Sequence, residues 1–227
     1  MSPSITRSAL AEAIGALALI FLGAGSIIAD QITGGKVGVA GIAFAHGLAI
    51  ATMVAAAGHV SGGHFNPAVT LGFVATRRMP VSTGITYILA QLVGASVGGL
   101  LLTAVFPEAA RIAVNLGTPA LAPGVSAGTG IVVEAVLTFF LVFVIFGVAV
   151  DARGERAIAP LAIGLVIVMD ILGAGVLTGA AMNPARAFGP ALFSGFWANH
   201  AVFWIGPSIG GVLASWVYTY LMAQPAA

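Results

Sequence analysis

Long apolar runs, separated by short polar or glycine-rich stretches, make up most of this chain. A helix that crosses a bilayer needs about 20 mostly apolar residues. Six runs meet that length, at 9–29, 37–57, 85–106, 130–150, 159–177 and 201–222. Two further apolar pieces, 66–76 and 183–193, are only about half as long as a span. Both open on the same tripeptide: Asn66, Pro67, Ala68 and Asn183, Pro184, Ala185. Asn is a strong helix N-cap, and Pro suits the first helical position because its missing N–H would be unpaired there. Each tripeptide therefore predicts the start of a short helix that enters the membrane without crossing it. Irregular backbone at that depth is tolerated only where protein buries it or water bathes it. The pattern predicts an all-α membrane protein of six transmembrane helices and two re-entrant half-helices.

Composition points the same way. Of 227 residues, 59% are hydrophobic and 7% charged, with a mean hydropathy of +1.10; soluble domains carry roughly 25% charged residues. A net charge of +1 without a basic cluster excludes nucleic acid as a partner. The absence of cysteine removes disulfides, a thiol nucleophile and thiolate metal ligation. No nucleophile–base pair or metal cluster stands out, so neither catalysis nor a cofactor is expected. The first seven residues are short and polar, and the run behind them has no convincing cleavage site. It reads as a retained first helix.

Lysine and arginine set the orientation. With the N-terminus inside, Arg7, Arg77, Arg78, Arg153 and Arg156 are cytoplasmic, and only Lys36 and Arg111 lie outside. That bias predicts both termini in the cytoplasm. The long outer connection, 107–129, is expected to pack over the mouth. One transmembrane domain, 1–227, is expected, built of two repeats at about 8–106 and 130–222. Residues 47–72 lie on 164–189 without a gap, matching at ten positions that include both tripeptides. Glu12 in the first span likewise answers Glu134 in the fourth. Each repeat has three spans, so the halves insert in opposite directions, an arrangement that places a site at the bilayer midplane. Gly94, Ala95, Gly98 and Gly99 in the third span, and Gly206, Gly210, Gly211 and Ala214 in the sixth, read as close-packing faces.

Opposed half-helices bring two N-termini together, each carrying roughly half a positive charge. Cations and protons are repelled there, while a water can point its oxygen inward. Capping uses the oxygens of Asn66 and Asn183, which leaves both NH2 groups as donors. The approaches to the tripeptides, Gly62, Gly63, His64 and Phe65, and Gly179, Ala180, Ala181 and Met182, are expected to present a ladder of carbonyls to a pore. Arg186 directly follows the second tripeptide, and a guanidinium inside a membrane segment is a functional candidate by default. His46 lies inside the second span, where packed core residue and pore residue are both open readings. His59 and His64 flank the first tripeptide; His59 is read as a loop support. Glu12 and Glu134 read as carboxylates that bind loop N–H groups, with proton relay as the alternative. Asp170 aligns with Met53 and has no assigned role.

Two segments, Ser61-Gly-Gly-His-Phe-Asn-Pro-Ala-Val-Thr70 and Thr178-Gly-Ala-Ala-Met-Asn-Pro-Ala-Arg-Ala-Phe-Gly-Pro190, resemble the two signature loops of the aquaporins, the major intrinsic protein family. The resemblance covers nearly the whole chain and implies a pore in each monomer of a homotetramer in the lipid bilayer. Four residues form the outer constriction in that family, and motif position carries them onto His46, Ile171, Ala180 and Arg186. This set lacks the Phe and His of strict water channels and the aromatic pairs of glycerol channels. It is most similar to the tonoplast intrinsic proteins of plants, as is Trp197-Ala-Asn-His-Ala-Val-Phe-Trp204. The short tails suggest a bacterial relative in the inner (plasma) membrane. Ala187, Ala191, Phe203 and Trp204 stand where glycerol-type members carry other residues, which favours the water branch. Some tonoplast members that pass ammonia place a His in the long outer loop; 107–129 has none, so the resemblance weakens ammonia conduction.

The resulting expectation is a passive water channel that excludes protons and ions. One alternative is a channel chiefly for small neutral solutes such as glycerol, urea, ammonia or hydrogen peroxide. The other is a coupled transporter, which would need a midplane carboxylate from Glu12, Glu134 or Asp170.

Overall fold

The computed structural model describes residues 4–222. The two chain ends, expected on the cytoplasmic side, lie outside the described residues. Six helices are long and apolar enough to span a membrane: α1 (Ile5–Ile32), α2 (Gly38–Ser61), α4 (Val81–Val105), α6 (Ala127–Val150), α7 (Arg156–Thr178) and α9 (Val202–Met222). The half-helices are α3 (Pro67–Ala75) and α8 (Pro184–Ser194), and a short helix, α5 (Glu108–Ala113), lies in the connection after α4. Boundaries follow local chemistry. Ser126 accepts the Thr129 N–H at 3.1 Å at the start of α6. Gly62 and Gly179, with φ of 94° and 83°, end α2 and α7 in the left-handed conformation that glycine adopts without strain.

Glycine faces bring the helices together. Gly47 of α2 and Gly164 of α7 are so close that a Cβ on either would run into the other's carbonyl oxygen. The same holds for Gly94 of α4 against Ala13 of α1, and for Gly210 of α9 against Ala135 of α6. These two contacts are repeat equivalents, and they rest on the small residues expected to pack. Gly99 lies on the backbone of α8 and Gly211 on that of α3, so each half-helix is held by the last span of the other repeat.

The polarity of the molecule is inverted relative to a soluble domain. Leu10, Val93, Val176 and Tyr220 are exposed, whereas Glu12, Glu134, Asp170 and Arg186 are buried. Apolar surface of this extent marks a lipid-facing exterior. Two helices also widen locally to π-helix, at Leu19–Ala24 in α1 and Phe146–Val150 in α6. The first has a visible cause: a Cβ on Gly23 would strike the His46 imidazole, so the widened turn and the missing side chain make room for that ring.

Candidate functional site

Five residues join each long helix to its half-helix, 62–66 and 179–183. The first, second and fourth of each are left-handed: Gly62, Gly63 and Phe65 (φ 94°, 67° and 50°), and Gly179, Ala180 and Met182 (φ 83°, 44° and 51°). That conformation costs a non-glycine residue about 1–2 kcal/mol, so Phe65, Ala180 and Met182 must be held. Two buried carboxylates hold Phe65 and Met182, and the Ala180 N–H donates to the Thr178 hydroxyl at 3.1 Å. Glu12 accepts the His64 and Phe65 N–H groups at 3.0 and 2.6 Å and the Ser61 hydroxyl at 2.6 Å. Glu134 accepts the Ala181 and Met182 N–H groups at 2.9 and 2.7 Å and the Thr178 hydroxyl at 2.6 Å.

The halves then differ. Gln91 Nε2 donates to Glu12 at 2.8 Å and to Thr70 Oγ1 at 3.0 Å. Its repeat equivalent, judged from the Gly94 and Gly210 contacts, is Pro207, which offers no such group. His59 supports no loop. It is exposed in the last turn of α2, with no side-chain hydrogen bond among the described residues. Ser61, Gln91 and Tyr87, whose hydroxyl donates to the Ser61 carbonyl at 2.7 Å, do that work instead.

The two tips meet. Asn66 Oδ1 accepts the Ala68 N–H at 2.8 Å, and Asn183 Oδ1 accepts those of Ala185 and Arg186 at 2.9 and 3.2 Å. Capping alone predicts two free NH2 groups. In the structure Asn66 Nδ2 donates to the Met182 carbonyl and Asn183 Nδ2 to that of Phe65, each at 2.9 Å. One N–H per amide is thus committed to the opposite loop, and one remains for a passing molecule. Only the approach of the two loops puts these donors and carbonyls within reach, so the tripeptides alone do not reveal the exchange.

A cavity runs past this junction, lined by both Asn side chains, by His46, Ile171, Ala180 and Arg186 at one end, and by Ile145 and Ile163. Its volume is about 30 Å³. One water needs about 10–15 Å³ of such space, so the lumen has room for two or three waters and not for a pool. Gly63, His64, Ala180, Ala181 and Met182 line it, but Gly62, Phe65 and Gly179 do not. Gly62 and Gly179 serve as helix ends, Gly179 beneath Pro119, and the Phe65 ring fills the space left by Gly15. The remaining wall, with Leu19, Ile50, Val69, Leu141 and Ile167, is apolar.

Arg186 is 2% exposed, and its Nη1 donates to the Gly117 carbonyl at 2.8 Å, while Nε has no partner among the described residues. Gly117 ends a run of three left-handed residues, Asn115, Leu116 and Gly117 (φ 47°, 56° and 72°). Leu116 anchors that run in a cluster with Ile20, Ala24 and Ile28. The long connection therefore reaches into the mouth and orients the guanidinium. His46 Nδ1 lies 2.8 Å from the Ile42 carbonyl. A carbonyl only accepts, so Nδ1 carries a proton, and in the neutral ring Nε2 is then the acceptor. His64 lines the lumen with Nδ1 3.0 Å from Thr70 Oγ1, its ring against Phe73. Asp170 is buried but does not line the cavity, and its Oδ2 has no hydrogen-bond partner among the described residues.

Gln91, Gly23 and Gly117 carry no motif signal, and Thr70 ends the first signature segment without a role being legible there. Ser61 and Thr178 do carry one: they are hydroxyls at matching repeat positions, one residue before the left-handed glycines.

The sequence pattern of the family described as Major intrinsic protein matches residues 1–218. The chain is 46% identical over 225 residues to Aquaporin TIP4-4 of Zea mays, covering 96% of this chain and 88% of that one. It is 43% identical over 235 residues to Probable aquaporin TIP3-2 of Arabidopsis thaliana, covering 97% and 85%. Aquaporin-4 of Bos taurus matches at 45% over 181 residues, 79% of this chain and 55% of that one. The fold superposes on the X-ray structure of the aquaglyceroporin from Plasmodium falciparum with a TM-score of 0.83 at 26% identity, covering 95% and 96% of the two chains.

Proposed function

Because this chain belongs to the major intrinsic protein family, a family of membrane channels, we propose that it is a passive water channel that excludes ions and protons. The observation that carries the reading is the exchange of amide–carbonyl bonds between the two half-helix tips beside a lumen with room for only a few waters. Each amide keeps one N–H, and a water that accepts from both must turn its own protons toward the two mouths. Proton hopping through the centre then requires that water to reverse against two fixed donors. The helix ends add charge repulsion. Half a charge at roughly 6 Å, at an effective dielectric constant of about 20, opposes a cation by about 1.4 kcal/mol. Two such ends reduce cation occupancy on the order of a hundredfold.

His46, Ile171, Ala180 and Arg186 form the selectivity filter. Arg186 and His46 replace part of the lost hydration, while Ile171 presents no polar group. A second reading follows from that apolar wall: small neutral solutes such as glycerol, urea, ammonia or hydrogen peroxide pass beside water. Coupled transport is disfavoured because Glu12 and Glu134 are engaged by loop donors and Asp170 stands outside the lumen. The family resemblance supports a homotetramer in the lipid bilayer. The two chain ends face the cytoplasm, since five of the seven cationic residues outside the filter fall on that side.

Proteoliposomes given an osmotic jump in a stopped-flow instrument test the proposal. Shrinkage faster than that of empty vesicles, with a low activation energy and no proton leak, is expected. Rates equal to those of empty vesicles overturn it. Water, glycerol, urea and ammonia measured in one preparation separate the two readings.

A further inference from the structure

At the end of the bundle that carries Arg186, a second cavity of about 110 Å³ opens beside the mouth. It lies between α5, the 115–117 turn and the last turn of α8, and its lining divides by chemistry. Arg111, Asn115 and Ser194 form a polar side, and Ile112, Leu116 and Phe193 an apolar one. Ser194 is fixed there, its hydroxyl 3.0 Å from that of Thr118 and accepting the Phe196 N–H at 3.2 Å. Phe193 lies against α4 at Gly99, next to the exposed Leu100, so the apolar side continues onto a lipid-facing helix.

Arg111 is the odd member. Its Nε–H is buried without a hydrogen-bond partner among the described residues. No carboxylate pairs with it, because Arg153–Asp151 is the one ion pair among those residues. A buried donor on a permanent cation is costly to leave unsatisfied. Its planar fork matches the oxygens of a phosphate. The site also sits at headgroup height, since α4 ends at Val105, shortly before Arg111. A free anion would find half of this lining apolar, whereas a phosphate that carries acyl chains matches both sides.

We propose that this cavity binds the phosphodiester headgroup of a membrane phospholipid, with the phosphate on Arg111 and the glycerol end over Ile112 and Phe193. Occupancy braces the turn whose last carbonyl orients Arg186, which links lipid binding to the filter. That link rests on the proposed channel function; the binding itself does not.

Native mass spectrometry of the full chain in neutral detergent is the test. The titrants are phosphatidylglycerol, a glycosyl diacylglycerol without phosphate, and inorganic phosphate as competitor. Phosphatidylglycerol should bind, and Arg111→Ala and Arg111→Gln should each weaken it about tenfold or more, the range for one charge-assisted contact. Arg77→Ala, at the opposite end, should leave binding unchanged. Two variants guard against misfolding of one, and retained oligomer and melting temperature report on both. Equal affinity in the Arg111 variants, equal binding of the glycolipid, or full displacement by inorganic phosphate would each overturn the assignment. Failed water conduction with lipid binding intact counts against the channel reading alone.

Discussion

Removing either buried glutamate tests how the left-handed loops are held, and the two halves should respond unequally. Glu134→Ala leaves the Ala181 and Met182 N–H groups and the Thr178 hydroxyl without an acceptor. Each buried orphan costs about 1–3 kcal/mol, so the two backbone groups alone amount to roughly 2–6 kcal/mol. Glu12→Ala orphans more donors, at Ser61, His64, Phe65 and Gln91. Yet Gln91 Oε1 is buried there without a partner, and a rotation of that amide turns an acceptor toward the loop. Pro207 offers nothing comparable to the second loop. The cavity left by the shortened side chain is the same in both variants and cancels. The rotated Gln91 oxygen has two lone pairs for loop donors, which leaves two of the four donors orphaned in Glu12→Ala against three in Glu134→Ala. Glu134→Ala should therefore be the more damaging by about one buried donor, 1–3 kcal/mol. At about 2–4 °C per kcal/mol for a chain of this size, the melting temperatures in detergent should differ by roughly 2–12 °C. Water permeability per molecule should fall further in the same variant, because the less supported loop also lines the lumen with Ala180, Ala181 and Met182. Equal melting points, or Glu12→Ala the lower, refute the role given to Gln91. No loss in either refutes the carboxylate clamp itself.

Other predictions concern the two mouths. Arg186→Val should admit glycerol and urea severalfold faster in light-scattering assays; unchanged exclusion removes Arg186 from the filter. Ile171→His should narrow the constriction and lower glycerol and urea flux more than water flux, and a rise in solute flux contradicts the geometry. Arg153 bonds Asp151 through its side chain at 2.6 Å and its backbone N–H at 2.9 Å, and holds that carboxyl down to about 2. A depressed pKa stabilises the fold above the ordinary value of 3.8 and is lost as pH falls through about 2. Asp151→Asn should therefore flatten melting temperature against pH within that window, and an identical slope counts against the pair. Mercurials should not block flux through a thiol, since the chain has no cysteine; block reversed by added thiol conflicts with that.

The spans and half-helices could be read from sequence because bilayer thickness and the Asn-Pro start are local constraints. α1 exceeds the expected run at both ends because polar residues such as Ser8 and Gln31 continue a helix that apolar counting stops. The π-helical turn at Leu19–Ala24 was not legible, since its cause, room for His46, lies on another helix. Glu12 and Glu134 stood out as isolated charges in apolar runs. Gln91 and Gly117 did not, because one is an ordinary polar residue and the other acts through a backbone carbonyl. His59 misled because nearness in sequence says nothing about which side of a helix a ring occupies.

The reciprocal bonds between Asn66 and Met182 and between Asn183 and Phe65 have a mechanical consequence. Neither stub can retract or tilt without tearing a contact on its counterpart, so the waist of the molecule is a fixed aperture. Any valve must work where the wall is a replaceable piece, at the Gly117 strap that orients Arg186.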